Sequence, residues 1–254
     1  YEIGVRLVGS EMCIRDRLVA ALPFLVSGCL KSDNHVTFTI STGGYVLQKF
    51  EEGTPVYAPY IYSFSSQEIA SAKLECTENP NCSYVKKAAN VWETPLHYQS
   101  QIPNGTYEIW ATNLEGEIAT QKQTFTIDKS LGELNLKSFY FESGIIHAKW
   151  ETVANATEYC LMFCVRTKEM ASSGGFNRYN NYYVKWDPYN TVVTSGSYNL
   201  KEVVSRTTGY SLQDNDEVQI AVAVMYNRSG KGTLILESNR YVVTTKSGDI
   251  DFLQ

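Results

Sequence analysis

The sequence predicts an all-β protein made of two tandem β-sandwich domains. Short stretches with an apolar residue at every second position recur along the chain, and Gly, Pro and Asn turn signals separate them. Tyrosine is unusually frequent, with 18 residues, and together with abundant Thr and Val it favours strands. The length of 254 residues fits one large domain or two small ones, at roughly 100–200 residues per domain.

Composition narrows the possible functions. Hydrophobic residues make up 43% of the chain and charged residues 19%, which supports a packed core and argues against wholesale disorder. The formal net charge is −5, which argues against the basic electrostatic footprint of a nucleic-acid-binding protein. We therefore expect no nucleic acid among the partners.

Residues 1–17 are predicted to be foreign to the protein. The run over residues 8–16, VGSEMCIRD, resembles the translated sequencing-adaptor artefact found at the ends of metagenomic reading frames. The alternative is a genuine amphipathic N-terminus. We leave residues 1–17 out of the fold prediction as a non-native artefact.

An apolar leader follows in residues 18–28. Its ten uncharged residues, 18–27, are half of the roughly 20 that a transmembrane helix needs, and they fit the core of a signal peptide. The leader runs into Val26, Ser27, Gly28 and Cys29, which resemble the bacterial lipoprotein box. The resemblance implies cleavage between Gly28 and Cys29 and a diacylglycerol group on the Cys29 sulfur. The alternative is a soluble protein with a chance Ser-Gly-Cys run after a buried helix.

The lipoprotein resemblance also implies a location. Residues 29–35 would form a lipidated tether, and two or more acyl chains anchor stably because each buried CH₂ contributes roughly 0.8 kcal/mol. Lys31 and Asp33 partly match the surface-export signal of Bacteroidetes lipoproteins, which usually has a pair of acidic residues. We therefore expect a lipid-anchored outer-membrane protein, at the periplasmic face or at the cell surface.

The first predicted domain spans residues 36–128. Its clearest strand has Tyr107, Ile109 and Ala111 on one face, with polar residues or a tryptophan between them. Strands are predicted at residues 36–40, 55–64, 106–112 and 123–127, with turns at 43–44, 103–105 and 114–117. This domain is generically immunoglobulin-like. Residues 129–132 are predicted to be a linker.

The second predicted domain spans residues 133–247, and residues 248–254 are predicted to be a C-terminal tail. Its strands are predicted at residues 146–150, 159–165, 218–224, 233–236 and 240–245. Trp150 on the second strand, the Ala156–Tyr159 step, Leu212 and the turn over 227–232 resemble a fibronectin type III domain. Val218 departs from the family, which has a tyrosine there for the tyrosine corner. A fold of this kind hosts many functions and names none.

Four cysteines follow Cys29 in the mature chain and could form disulfides or remain free thiols. Cys76 and Cys82 bracket a turn-rich segment in a protein expected to be exported, and we predict a disulfide worth roughly 2–3 kcal/mol. Free thiols are the alternative. Cys160 and Cys164, on one strand, would stand roughly 13 Å apart, beyond the roughly 7 Å that a disulfide tolerates. We expect them to pack as small buried hydrophobes.

No catalytic, metal or cofactor site is predicted. The three histidines, His35, His97 and His147, do not cluster in the sequence, and no Cys-x-x-Cys pair exists. There is no Gly-x-Ser-x-Gly elbow, and Ser173-Gly174-Gly175 lacks the Lys-Ser/Thr of a phosphate-binding loop. A pair of carboxylates brought together by the fold could still form a glycosidase site, which is the weakest alternative.

An aromatic-rich segment over residues 176–189 is the predicted ligand-binding site. It holds six aromatic residues in fourteen, interleaved with Asn, Arg, Lys and Asp. Flat rings with neighbouring amides and charges suit sugar faces, and Tyr and Trp also anchor protein interfaces. The predicted anchors are Tyr179, Tyr182, Tyr183, Trp186 and Tyr189. The alternative is that Tyr183 and Trp186 simply cover the sandwich.

These observations predict a non-catalytic binding or adhesion lipoprotein of the cell envelope, with a glycan or a protein as its ligand. The first alternative is an accessory subunit of an uptake or fimbrial assembly, which would engage an envelope protein by an exposed sheet edge. The second is a small glycan hydrolase. The membrane is the partner that the lipid anchor implies.

Overall fold

The computed structural model describes residues 37–171, 175–187, 193–246 and 249–253. Gly28 and Cys29 lie outside these ranges, as do the artefact, leader and tether predicted over residues 1–35. Within the described ranges the chain forms sixteen strands and only short helical segments, which confirms the all-β fold class. No helix in these ranges is long and apolar enough to cross a membrane.

The described chain divides into two compact units. The first contains the residues up to Tyr45, Pro59–Leu96 and Pro103–Thr126. The second contains Val46–Ala58, His97–Ile102 and the residues from Ile127 onward. The predicted domains are contiguous in sequence, whereas these units are not. Residues 46–58 and 97–102, which the sequence assigns to the first domain, belong to the second unit.

Strands β1 (Ile40–Glu51) and β2 (Thr54–Ser65) each contribute residues to both units. The two strands pair with each other and are joined by Glu52 and Gly53. Both turn residues have positive φ, 51° and 78°. Two residues in this conformation form the hairpin turn whose twist matches that of the flanking antiparallel strands.

The first unit has two facing sheets. One contains parts of β1 and β2 together with β4 (Val85–Ala88) and β5 (Val91–Glu93), and the other has the order β3 (Ile69–Glu75), β6 (Gly105–Asn113), β7 (Ile118–Phe125). The sheets approach closely at Gly44, where a Cβ would lie 3.3 Å from Cγ of Gln123 on β7. The core includes Tyr60, Ile61, Ile69, Tyr107, Ile109 and Phe125.

The second unit is also built on two sheets. The smaller has β9 (Ile145–Trp150) between β8 (Leu136–Glu142) and β12 (Ser195–Asn199). The larger contains β10 (Glu158–Arg166), β11 (Tyr182–Lys185), β13 (Glu217–Arg228), β14 (Gly232–Glu237), β15 (Tyr241–Lys246) and β16 (Asp249–Leu253). Residues Val46, Leu47 and Gln48 of β1 pair in parallel with Leu234, Ile235 and Leu236 of β14. This non-local pairing is the reason why residues 46–58 belong to the second unit.

Aromatic side chains fill the space between the two sheets of the second unit. Trp150 of β9 stacks on Tyr159 of β10 with ring centroids 5.5 Å apart, and Phe139 of β8 stacks on Tyr241 of β15 at 4.6 Å. Trp150 is 3% exposed and is therefore a core residue of this unit. Phe139 and Trp150 therefore face inward, which leaves the alternate positions of β8 and β9 on the outward face of the sheet.

Two short α-helices occur among the described residues, α1 (Lys168–Ala171) and α2 (Leu200–Thr208). Asn199 caps the start of α2, where its side chain accepts the Glu202 N–H at 3.1 Å, and Gly209 with φ 72° caps its end. Leu200, Val203 and Val204 are buried, which is the spacing of one helix face. The sequence analysis did not predict this helix.

Two connecting segments differ from their predicted character. Residues 129–132, predicted to be a linker, lie in the second unit, and Leu131 is 2% exposed. The predicted tail, 248–254, contains β16, whose Asp249–Leu253 pair with Lys246–Val242 of β15. Backbone hydrogen bonding to an existing strand edge explains why this end of the chain is a strand.

Candidate functional site

The aromatic segment predicted as the binding site is largely committed to the fold of the second unit. Tyr179 lies in the 3-10 turn Arg178–Asn180, and Tyr182 and Tyr183 begin β11. All three tyrosines are half-buried, Trp186 is 8% exposed, and Tyr189 lies outside the described residues. The segment does not present a row of free rings in the part that the structure describes.

Trp186 is a core residue of the second unit. Its ring lies 5.5 Å from Trp150 and 5.2 Å from Tyr198, measured between centroids. Gly196 on β12 makes room for it, because a Cβ at that position would lie 2.4 Å from Cε3 of Trp186. The residue therefore fits the alternative in which it covers the sandwich.

The other predicted anchors have partners inside the unit. Tyr182 stacks on Phe163, its cross-strand neighbour on β10, with centroids 5.2 Å apart and planes at 15°. The Tyr183 hydroxyl donates to Glu237 Oε1 at 2.8 Å. These contacts occupy one ring face of Tyr182 and the hydroxyl of Tyr183.

Glu237 is the centre of a charge cluster that sequence reasoning missed. Its carboxylate is 8% exposed and accepts from Arg178 Nη1 at 3.1 Å and from Arg240 Nη2 at 2.7 Å. Burial acts to raise the pKa of Glu237, but the two guanidiniums outweigh it and the pKa is lowered. The cluster ties the segment around Arg178 to the end of β14. No local sequence pattern predicts this cluster. Arg178 is 59 residues away from Glu237 in the chain, and Arg240 lies in the connection that follows β14.

The predicted disulfide between Cys76 and Cys82 is absent from the structure, where both are free thiols. The Cys76 thiol donates to the Glu78 carboxylate at 3.3 Å and accepts from Asn79 Nδ2 at 3.7 Å, so local polar partners occupy it. Burial raises the pKa of both thiols. Cys160 and Cys164 are 2% and 1% exposed and pack as the small buried residues that the sequence predicts.

No group of three or more His, Cys, Asp or Glu side chains in the described part of the chain could hold a metal ion.

A different surface, the outward face of the sheet β8-β9-β12, carries exposed polar and aromatic side chains. We call it the Tyr140 face and define it by Ser138, Tyr140, His147, Lys149, Ser195 and Ser197. The strand register arranges these residues in two cross-strand rows. Tyr140, His147 and Ser197 form one row, and Ser138, Lys149 and Ser195 form the next.

The Tyr140 face forms a shallow, open depression of about 220 Å³, which these residues line together with Ala148 and Gly196. Tyr140 is 47% exposed, and its ring stacks on the His147 imidazole at 4.8 Å with planes at 15°. A single exposed ring on a protein surface is ordinary. Here the ring lies nearly parallel to the imidazole of its cross-strand neighbour His147. The serine hydroxyls nearby can both donate and accept hydrogen bonds.

The alternation of inward and outward residues along β8 predicts which side chains lie on this face. Phe139 faces inward to Tyr241, so Ser138 and Tyr140 must face outward. On β9 the buried residues Ile146, Ala148 and Trp150 alternate with His147 and Lys149, which therefore face outward. The ring of Tyr140 was missed because the aromatic-rich segment 176–189 has the higher local density of rings.

The chain shows little similarity to known proteins. No protein-family model matches the chain, and no curated protein matches it. Among solved structures, the chain is similar to one described as tandem Ig repeats of Dlar, at 10% sequence identity and a TM-score of 0.31, over 79% of this chain and 97% of that one. The fold class therefore rests on the sheets described above.

Proposed function

We propose that the protein is a non-catalytic binding or adhesion lipoprotein with immunoglobulin-like and fibronectin type III-like domains. Cys29 would anchor it to the outer membrane of a Bacteroidetes-type cell envelope. The observation that carries the binding proposal is the exposed Tyr140 ring, stacked on His147 over a depression lined by three serine hydroxyls. The ring offers an apolar surface and the serines offer hydrogen-bonding groups beside it, which supports binding of a small polar ligand at an open surface.

A glycan suits this surface better than a protein. A stable protein interface buries roughly 1,200–2,000 Å² and centres on desolvated apolar anchors. The Tyr140 face is instead a small polar depression with a single ring. A sugar presents a C–H face that can lie on the ring and hydroxyls that can bond to serine, imidazole and ammonium groups.

Glycan-array binding of the full chain tests the proposal, with Cys29→Ala to prevent lipidation. Tyr140→Ala should abolish binding, Tyr140→Phe should retain it, and Leu114→Ala serves as an exposed control elsewhere in the chain (71% exposed). Binding that survives Tyr140→Ala would contradict the proposed site. Binding that is lost with Tyr182→Ala, while the fold is intact, would instead favour the segment 176–189.

The lipid anchor has its own test. Mass spectrometry of the protein from envelope membranes should find residue 29 as the N-terminus, carrying acyl chains on its sulfur. An unprocessed leader with an unmodified Cys29 thiol would contradict the anchor while leaving the binding proposal in place.

A second candidate function is an accessory subunit that docks by a sheet edge. Strand β7 lies at the edge of the sheet β3-β6-β7, and Ile118 at its start is 68% exposed. Exposed strand edges can accept an added strand from a partner. The native protein should then migrate in a larger envelope complex on size-exclusion chromatography, and Ile118→Lys should release it. A monomer in both cases would contradict this function.

A further inference from the structure

We infer that the Tyr140 face selects a negatively charged saccharide, one in which a carboxylate or sulfate group is attached to the sugar that lies on Tyr140. This inference rests on the proposed function, because it names the ligand class of the same site.

Lys149 is the charged residue in the depression, and it has no acidic neighbour there. Its cross-strand partners are Ser138 on β8 and Ser195 on β12, which offer hydroxyls and no carboxylate. Among the described residues Lys149 makes no ion pair. Lys149 is exposed, so its flexible side chain can move the ammonium group toward a ligand.

The nearest acidic residue along the chain is already engaged. Glu151 pairs with Lys137 at 2.5 Å and accepts from Asn135 Nδ2 at 3.1 Å. The hydrogen bond from Lys137 is the main reason why the pKa of Glu151 is lowered. Glu142 lies opposite Ile145, one row beyond Tyr140 on the side away from Lys149. The depression therefore holds a positive charge that its own face does not neutralise.

The spacing of the rows matches a substituted sugar. Tyr140 and Lys149 are diagonal neighbours on the same face of an antiparallel pair. Such neighbours stand roughly 7–8 Å apart, which a lysine side chain can bridge. A sugar ring stacked on Tyr140 would thus bring an anionic substituent within reach of the Lys149 ammonium, while Ser138 and Ser195 accept or donate hydrogen bonds to its hydroxyls.

The acidic character of the whole chain does not oppose this selection strongly. The formal net charge is −5, but charges more than about 8 Å away are largely screened at physiological ionic strength. The local charge of the face therefore decides the preference at short range. Raising the salt concentration should weaken the preference for the charged ligand and leave ring stacking in place.

Calorimetric titration of the full chain carrying Cys29→Ala tests the inference with three probes: trigalacturonate, its methyl ester, and a sulfated galactotriose. We expect the two charged probes to bind about fivefold more tightly than the neutral ester, the upper range for an exposed ion pair. Lys149→Gln should remove this advantage and leave ester binding unchanged. Lys122→Gln, on an exposed lysine of β7 in the first unit, is the matched control.

The outcomes separate the inference from the proposed function. Equal binding of ester and acid, or charged-probe binding that is unchanged in Lys149→Gln, would overturn the charge selection while Tyr140→Ala still tests the site. Binding of only the sulfated probe would support selection and identify sulfate as the source of charge. No binding of any probe would overturn both the inference and the glycan proposal.

Discussion

Gln48 and Leu131 are joined by two hydrogen bonds that run in opposite directions. Gln48 Nε2 donates to the Leu131 carbonyl at 2.7 Å, and the Leu131 N–H donates to Gln48 Oε1 at 2.9 Å. Both residues are 2% exposed. The amide side chain thus acts as a strand partner for a buried stretch of backbone that needs both a donor and an acceptor.

Replacing Gln48 by leucine should lower the free energy of unfolding by about 2–4 kcal/mol, because two buried backbone groups of Leu131 lose their partners. Urea denaturation followed by tryptophan fluorescence measures the change. Gln121→Leu, at an exposed position of β7, is the control and should change stability by less than about 0.5 kcal/mol. Equal effects of the two substitutions would contradict a special role for the Gln48 side chain.

Glu237→Gln should destabilise the protein by about 2–3 kcal/mol at pH 7, because Arg178 and Arg240 lose the buried carboxylate between them. The folded-state pKa of Glu237 lies below its unfolded value of about 4.3, so its stabilisation is complete above that pH and is lost as the pH falls through the folded pKa. Thermal unfolding between pH 7 and pH 3 should show the gap between wild type and variant closing. A gap that is constant with pH would show that the charge of Glu237 contributes nothing. Glu108→Gln, at an exposed ion pair, is the control.

Trp186→Ala and Tyr140→Ala should affect different properties. Removing the buried Trp186 ring should cost about 3–5 kcal/mol of stability, the usual range for an aromatic core residue. Removing the exposed Tyr140 ring should cost about 0.5 kcal/mol or less and should affect ligand binding instead. Thermal unfolding of the two variants distinguishes these roles. A stable Trp186→Ala protein would return this ring to the list of ligand contacts.

Gly196→Ala should be destabilising by about 1–3 kcal/mol, because the added methyl group would overlap the Trp186 ring. The effect should shrink in a Trp186→Ala background, where the space is empty. A double-mutant cycle measured by urea denaturation reports this coupling. Additive effects would mean that the two residues do not share the same space.

The strands could be predicted from the sequence where their pattern is local. Ile146, Ala148 and Trp150 alternate with polar residues, and β9 buries those three residues while its other side faces the solvent. Residues 107, 109 and 111 behave in the same way on β6. Period-2 alternation is a property of a few neighbouring residues and survives in any arrangement of the sheets.

The pairing of the sheets and the burial of single side chains could not be predicted, because they depend on contacts between distant parts of the chain. The parallel pairing of Val46–Gln48 with Leu234–Leu236 joins segments almost 190 residues apart, and neither segment carries a signal for the other. The burial of Trp186 depends on a glycine at position 196, and the free position of Tyr140 depends on which face of β8 is covered. The density of aromatic residues in a segment does not tell which side of a strand faces inward, so it could not predict that Trp186 is buried while Tyr140 is exposed.

The assignment of residues 46–58 and 97–102 to the second unit limits how this protein could be rearranged by evolution or by protein engineering. A fragment that starts at Ile127 would lack the strand beside β14, leaving the backbone of Leu234–Leu236 as an open edge. The complementary fragment would carry Val46, Leu47 and Gln48 without their parallel partner strand. Neither half is then a module that could be transplanted into another gene, and duplication or shuffling would have to move both together.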